Sequence, residues 1–293
     1  MSQPHDPSPA PSTTPAGPAQ SIPAPGDPKQ YELFAKPRLR PALDLLQQIP
    51  FAPTSVGTES SQPRTVCDLG CGPGEITQIL AARWPQADVL GVDSSLDMLA
   101  RAREAVSMSS LRWQHCDIAA WRPPAPVDLI YSNAALHWLG DHEQLFTHLL
   151  GQLAPGGVLA VQMPLSWPIP SHRIMREILA QGDDGTPIGS PELRAGYANP
   201  PVHAPGTYHR WLAPRTRRLD IWTTEYLHVL EGPDPVLGWV KGTILRPLLA
   251  ALDEAEKARF LALYAERLRA AYPAMENGKT LFPFPRLFLV AMV

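Results

Sequence analysis

From Thr65 onward, short apolar runs alternate with segments of helical period. Thr65–Asp68, Asp88–Val92, Leu111–His115, Val127–Ser132 and Gly157–Met163 read as strands. Glu75–Arg83, Leu96–Val106 and Asp141–Leu150 read as helices between them, the first stopped by Trp84-Pro85. This alternation predicts parallel strands joined by right-handed crossovers, with helices on both faces. After Met163 the rhythm changes. Ser171–Gln181 reads as a helix with Ser171 as its N-cap, and Gly182–Pro214, rich in Gly and Pro, reads as loops. Arg218–His228, β-branched and aromatic, predicts a strand. Asp253–Tyr272 predicts a long helix with a charged surface, and Leu287–Val293 a terminal strand. Ahead of the alternation a helix is expected near Ala42–Gln48, with Pro41 at its first position. The expected fold class is α/β: a doubly wound, mostly parallel seven-stranded Rossmann-like sheet with a helical lobe.

Residues 1–28 are crowded with Pro, Ala and Ser and hold no aromatic residue, so they bury too little to offset their ordering entropy and are expected to form a disordered tail. They lack the basic and apolar regions of a secretory signal, and no Arg precedes Arg38, which argues against a transit peptide. One domain is expected over 29–293, with helical cap elements around 29–50, 165–214 and 233–285. With 293 residues, 44% hydrophobic and 18% charged, the chain suffices for one sizeable core and a subsidiary lobe. A net charge of −3 supplies no global basic field for nucleic acid, and no run of 18 apolar residues exists to span a membrane. Cys67, Cys71 and Cys116 form no CxxC and read as small buried thiols of a reducing compartment; no metal site and a cytoplasmic location are expected.

The strongest local pattern is Val66-Cys-Asp-Leu-Gly-Cys-Gly-Pro-Gly74, after a predicted strand and opening a helix. A dinucleotide loop, GxGxxG, would need Gly where Glu75 stands. The GxGxG form, with Asp68 two residues ahead, resembles motif I of class I methyltransferases. That resemblance implies S-adenosylmethionine as cofactor, held around Asp68, Gly70, Cys71, Gly72 and Gly74. Asp93 ends the next strand, with Ser94 and Met98 beyond it. Its carboxylate accepts from ribose hydroxyls or, alternatively, caps the following helix. In the resembled fold Asp117 and Ile118 meet the adenine, the first accepting from its amine and the second packing on the ring; a surface turn is the alternative for Asp117. Asn133 and Ala134 end the fourth strand, where methyl donor and acceptor meet. The run Asn133-Ala-Ala-Leu136 departs from the Asn/Asp-Pro-Pro-aromatic pattern of nucleobase N-methylation.

Further stretches together resemble one family, trans-aconitate 2-methyltransferase. They are Pro28-x-x-Tyr31-x-x-Phe34-Ala35, Arg38-x-Arg40-Pro41, Asn133-Ala-x-Leu-x-Trp-Leu139, Gly157-Val-Leu-Ala-Val-Gln-Met-Pro164, Asp220-Ile-Trp222, Leu245-Arg-Pro247, Glu276-Asn-Gly278 and Phe284-Pro-Arg-Leu-Phe288. The resemblance implies methyl transfer to a carboxylate of a small polycarboxylate. A carboxylate is already ionised at pH 7, so no catalytic base is expected. The acceptor pocket should carry fixed Arg side chains. Arg38, Arg40, Arg246 and Arg286 are the candidates, with Arg176 a weaker one. His137, where the family commonly has Gln, and Trp138 should line the acceptor side. A solvated surface charge is the alternative for any single Arg, and Arg215, Arg217 and Arg218 read as a solvated strand edge. Trp222, Trp239 and the apolar face of the Asp253–Tyr272 helix read as core. The rival readings are a methyltransferase of a malonyl thioester or hydroxylated ring, a non-catalytic S-adenosylmethionine-binding module, and a nicotinamide dehydrogenase. Convergence of Arg38, Arg246 and Arg286 on one cavity would favour the polycarboxylate. The expected partner is a small anionic molecule, with no nucleic acid and no membrane, and a monomer is expected with a dimer as the alternative.

Overall fold

A computed structural model describes residues 35–51, 62–105 and 111–293, with side chains from 39 onward. The expected tail, 1–28, and the Pro28–Phe34 stretch lie outside the described residues. The chain runs α1 (Ala35–Gln47), β1 (Thr65–Leu69), α2 (Glu75–Arg83), β2 (Asp88–Asp93), α3 (Leu96–Ala105), β3 (Leu111–His115), β4 (Val127–Asn133), α4 (His142–Leu150) and β5 (Leu153–Pro164). It continues with α5 (Pro170–Gln181), α6 (Pro191–Gly196), α7 (Pro205–Leu212), β6 (Arg218–Leu230), α8 (Pro235–Lys241), α9 (Leu245–Ala251), α10 (Glu254–Ala271) and β7 (Thr280–Met292).

The seven strands form one sheet in the order β3-β2-β1-β4-β5-β7-β6. β1 to β5 are parallel; β7 inserts antiparallel between β5 and β6. Strand order reverses beside β1, between β1 and β4. A crevice opens at the carboxyl ends of parallel strands at such a point. One core cluster, with Phe146, Leu149, Tyr208 and Leu212, packs α4 and α7 on one face of the sheet. Another, with Leu45, Leu46, Leu80 and Trp84, packs α1 and α2 on the opposite face. The third binds α5 and α8 to α10 around Trp239, Phe260, Tyr264, Phe282 and Phe284.

Several boundaries differ from the sequence expectation, each for a physical reason. α1 begins at Ala35 and holds Pro41 in its interior rather than at its start. Burial of Ala42, Leu45 and Leu46 and the Tyr131 hydroxyl donating to the Ala42 carbonyl at 2.8 Å override the local preference. β5 starts four residues early, at Leu153, because its pairing with β4 skips from Val127↔Leu153 to Leu129↔Val158 in a bulge. α5 begins at Pro170 with Ile169 as N-cap, so Ser171 is not the cap; its hydroxyl turns to His172 instead. The stretch Gly182–Pro214 is not all loop. Pro191 and Pro205 sit in the first turns of α6 and α7, where a missing N–H costs nothing, and Ser190 caps the former. β7 begins at Thr280, not Leu287. Pro283 and Pro285 lie where β7 has run past the end of β5 and pairs with β6 alone, a place that tolerates Pro. The lobe material between the last two strands is correspondingly shorter than the expected 233–285. Arg218 is exposed on β6, the sheet's edge strand, as expected of the basic run. Among the described residues no helix is long and apolar enough to cross a membrane.

Candidate active site

The carboxyl ends of β1, β2 and β4 open into a cavity of about 710 Å³, a size suited to a cofactor plus a small acceptor. At one end it is lined by Asp68, Gly70, Cys71, Gly72, Pro73, Asp93, Ser94, Met98, Ile118, Asn133 and Ala134. At the other end stand His137, Trp138, Pro164 to Trp167, His172, Trp239, Lys241 to Ile244, Arg246, Phe284 and Arg286. The sheet thus supplies one end from the tips of β1, β2 and β4, and the lobe closes the other through α5 and the α8–α9 turn.

The glycine loop is built for close approach. Gly72 has φ +54, and a Cβ built there meets nothing within 4 Å, so bare backbone faces open space. Gly74 does something else. It does not line the cavity, and a Cβ there would lie 2.5 Å from the Trp113 ring, so its bareness serves packing. Asp93 braces the loop: its Oδ2 accepts from Gly72 N at 2.8 Å and its Oδ1 from Ser95 N at 2.8 Å. Asp93 is not the cap of α3: Ser95 Oγ accepts from Met98 N at 3.3 Å in that role, and the Asp93 carboxylate, with lone pairs left on both oxygens, shapes the turn before the helix. Asp68 is buried and accepts from the Thr77 hydroxyl at 2.7 Å. Burial, opposed by that hydrogen bond and reinforced by Asp93, raises its carboxyl to about 7. Asp117 is exposed and outside the cavity lining; its carboxylate accepts from Ala119 N at 2.9 Å and caps the short helical turn Ile118–Ala120. Burial pushes the Cys71 thiol far up, making it an inert wall.

The charges are segregated. The acids of the lining, Asp68, Glu75 and Asp93, belong to the glycine-loop end. Lys241, Arg246 and Arg286 belong to the other, with Arg101 on α3 the exception. Arg286 is only 5% exposed and donates to Gln162 Oε1 at 3.2 Å. His137 and His172 are both held down at about 3, chiefly by burial, with Arg286 next for His137 and Arg176 next for His172. Both are neutral at pH 7 and no reservoir for a proton.

Of the expected Arg residues, Arg246 and Arg286 reach one cavity. Arg40 does not: it is exposed, 3.8 Å from Asp44 and over the Tyr226 ring. Arg38 falls in the first turn of α1, and its side chain lies outside the described residues. Arg176 stacks on Trp167 at 3.8 Å behind the wall. Trp239 is 2% exposed core, as expected, and also lines the cavity. Sequence reasoning missed Ser166, Trp167, His172 and Lys241, which no local motif marks.

A methyltransferase-domain family model matches residues 66–157, the span from β1 through the bulge of β5. A trans-aconitate 2-methyltransferase of Azoarcus sp. is 46% identical over 267 residues, covering 91% of this chain and 98% of that one. The enzyme of the same name from Rhodopseudomonas palustris is 43% identical, covering 91% of this chain and 98% of that one. The chain belongs to the trans-aconitate 2-methyltransferase family. It is an S-adenosylmethionine-dependent methyltransferase on a class I fold. The YcgJ protein of Bacillus subtilis, at a TM-score of 0.52 and 12% identity over 85% of this chain and 96% of that one, shares the fold. The cavity suits this family's cofactor. Ser94 Oγ, Asn133 Oδ1 and His137 Nδ1 are buried polar atoms of the lining without a partner among the described residues. Such atoms call for a ligand, and the open face of Gly72 leaves room for one.

Proposed function

We propose that this enzyme methylates a carboxylate oxygen of trans-aconitate or a closely similar small polycarboxylate. The observation that carries the reading is the segregation of charge: carboxylates at the glycine-loop end, Lys241, Arg246 and buried Arg286 at the lobe end. A cationic cofactor suits the first end and a polyanionic acceptor the second. The names of the relatives point the same way.

Asp68, Gly70, Cys71, Gly72, Asp93, Ser94, Met98, Ile118, Asn133 and Ala134 are assigned to the cofactor, with Gly74 supporting the loop from behind. Ile118 offers the apolar surface for the adenine; exposed Asp117 serves its own turn. His137, Trp138, Arg246 and Arg286 are assigned to the acceptor. When bound, S-adenosylmethionine supplies an electrophilic methyl carbon on a sulfonium. An acceptor carboxylate is ionised at neutral pH, so the protein needs no base. Its tasks are to hold the nucleophilic oxygen in line and to exclude water. Arg286 offers planar two-point recognition from a buried position, and Trp138, Trp167 and Phe284 wall out solvent. Orientation of this kind supplies roughly 7–11 kcal/mol in favourable cases.

The test is methyl transfer over a panel of di- and tricarboxylic acids, read by mass of the ester and by S-adenosylhomocysteine release. Trans-aconitate should give one methyl ester per S-adenosylhomocysteine. No ester at millimolar acid, from protein that binds S-adenosylhomocysteine, refutes the acceptor.

A further inference from the structure

The lobe end of the cavity holds a hydrogen-bonded chain that the assignments above leave unused. Ser166 follows β5 and lines the cavity, its Oγ 2.9 Å from His172 Nε2. The other ring nitrogen, Nδ1, is 3.2 Å from Ser171 Oγ. Ser171 and His172 lie in the first turn of α5 and are 0% and 6% exposed. The His172 ring, held down at about 3, is neutral and carries one N–H.

The direction of the chain follows from satisfaction. Ser171 Oγ lies between His172 Nδ1 and the Tyr272 hydroxyl, and that hydroxyl already accepts from Ser171 N at 3.0 Å. The Tyr272 hydroxyl, accepting from Ser171 N, has no other acceptor among the described residues for its own hydrogen and gives it to Ser171 Oγ. If Ser171 Oγ accepted from the ring as well, its own hydrogen would be buried without an acceptor. Ser171 therefore donates to Nδ1, the ring proton sits on Nε2, and Nε2 donates to Ser166. The Ser166 hydroxyl, already receiving one bond, keeps its hydrogen for donation, and no described residue accepts it. The segment is clamped. Arg176 Nη1 donates to the carbonyls of Trp167 at 3.0 Å and His172 at 3.1 Å. Leu165 N donates to the Pro285 carbonyl at 2.9 Å, and Pro164 pairs in register with Arg286. Ser166 is thereby tied to the stretch of wall that carries Arg286.

We propose that Ser166 is a specificity-determining donor to a carboxylate oxygen of the acceptor, with Ser171 and His172 as positioning residues that aim its hydroxyl. This deepens the acceptor reading above and rests on it. The Ser–His pair is not a nucleophilic dyad, because a ring this hard to protonate is a poor base at neutral pH. A donor from the β5 end and a cation from β7 together distinguish a carboxylate from its uncharged amide or ester.

Steady-state transfer to trans-aconitate separates the cases, with S-adenosylhomocysteine affinity by calorimetry as control. Ser166→Ala should raise KM for trans-aconitate by roughly tenfold to a hundredfold, with the control unchanged. Ser166→Thr, which keeps the hydroxyl, should restore most of the loss. His172→Leu should raise KM alone and add nothing to Ser166→Ala, because it acts through that hydroxyl. Equal losses in both backgrounds, with weakened S-adenosylhomocysteine binding, would make His172 merely structural and overturn its role. An unchanged KM in Ser166→Ala, where the wild type methylates trans-aconitate, overturns the inference and leaves the acceptor reading standing. Wild-type protein that binds S-adenosylhomocysteine without methylating trans-aconitate overturns both.

Discussion

Two glycines of one loop carry different loads. Alanine at Gly72 meets open space, at a φ of +54 that costs about 1–2 kcal/mol for an L residue. Its methyl occupies the ground that bare backbone keeps clear, so Gly72→Ala should weaken S-adenosylhomocysteine binding at least ~tenfold, by about 1.4 kcal/mol, while stability falls by no more than the backbone strain. Gly74→Ala combines a φ of +85 with a contact of 2.5 Å to Trp113, a ring with little freedom to yield. It should cost about 2–5 kcal/mol of stability, the sum of backbone strain and overpacking, read as a lowered urea midpoint. A Gly74→Ala protein as stable as wild type would remove the packing explanation. Asp93 is a third case. Its carboxylate braces Gly72 and Ser95 at 2.8 Å each and still faces the cavity. Asp93→Ala should weaken S-adenosylhomocysteine binding by about 1.5–3 kcal/mol, as for lost charged hydrogen bonds; unchanged affinity in a calorimetric titration would remove it from the cofactor site.

At the scale of elements, the lobe hangs on a well-started helix. Asp253 and Glu256 form a capping box on α10: Glu256 N donates to Asp253 Oδ1 at 2.8 Å, and Asp253 N donates to Glu256 Oε2 at 3.3 Å. Glu256 Oε1 also accepts from Gly189 N at 2.9 Å, joining the α5–α6 connection to α10. Asp253→Ala should cost about 1 kcal/mol. Glu256→Ala should cost more, because it releases Gly189 as well. Urea unfolding of the two variants orders them, and equal losses would show that the Gly189 bond contributes nothing. The lobe matters to the chemistry because α5 and the α8–α9 turn bring His172, Lys241 and Arg246 to the cavity.

For the whole molecule, buried titratable groups give stability a pH dependence of known sign. His137 and His172 protonate near 3 when folded but near 6.5 when unfolded, and His142 is also lowered by burial. Their contribution is complete above pH 6.5 and is lost as pH falls toward 3, by about 1.4 kcal/mol per pH unit for each group at most. Asp68 acts oppositely. Raised to about 7, it favours the folded state at low pH and loses that contribution as pH rises through 7. Between pH 6.5 and 5 the two histidines held near 3 outweigh one aspartate, and His142 adds in the same direction, so stability should fall on acidification. Asp68→Asn removes the opposing group and should steepen the fall, as urea midpoints across this window would record. A flat profile in both proteins would mean that the rings are more solvated than their burial implies.

What the chain determined by itself is local. Helix α2 and strand β3 were legible to the residue from apolar runs and their stops, and the glycine loop with Asp68 and Asp93 was legible because its chemistry is contiguous along a strand–turn–helix. The family resemblance was legible in short stretches spread over the chain. Tertiary structure decided the rest. Pro191, Pro205, Pro283 and Pro285 read as breakers until their neighbours are known, because a missing N–H is costly only where a partner would have used it. Which Arg faces the acceptor was undecided for the same reason: Arg40 and Arg286 carry one charge each in similar stretches, yet the first lies exposed over Tyr226 and the second is buried where β7 inserts beside β5. Ser166 and His172 bear no motif at all. Their hydrogen bond exists because a helix start folds back on a strand end, and burial, a property of the assembled molecule, sets the protonation of the ring.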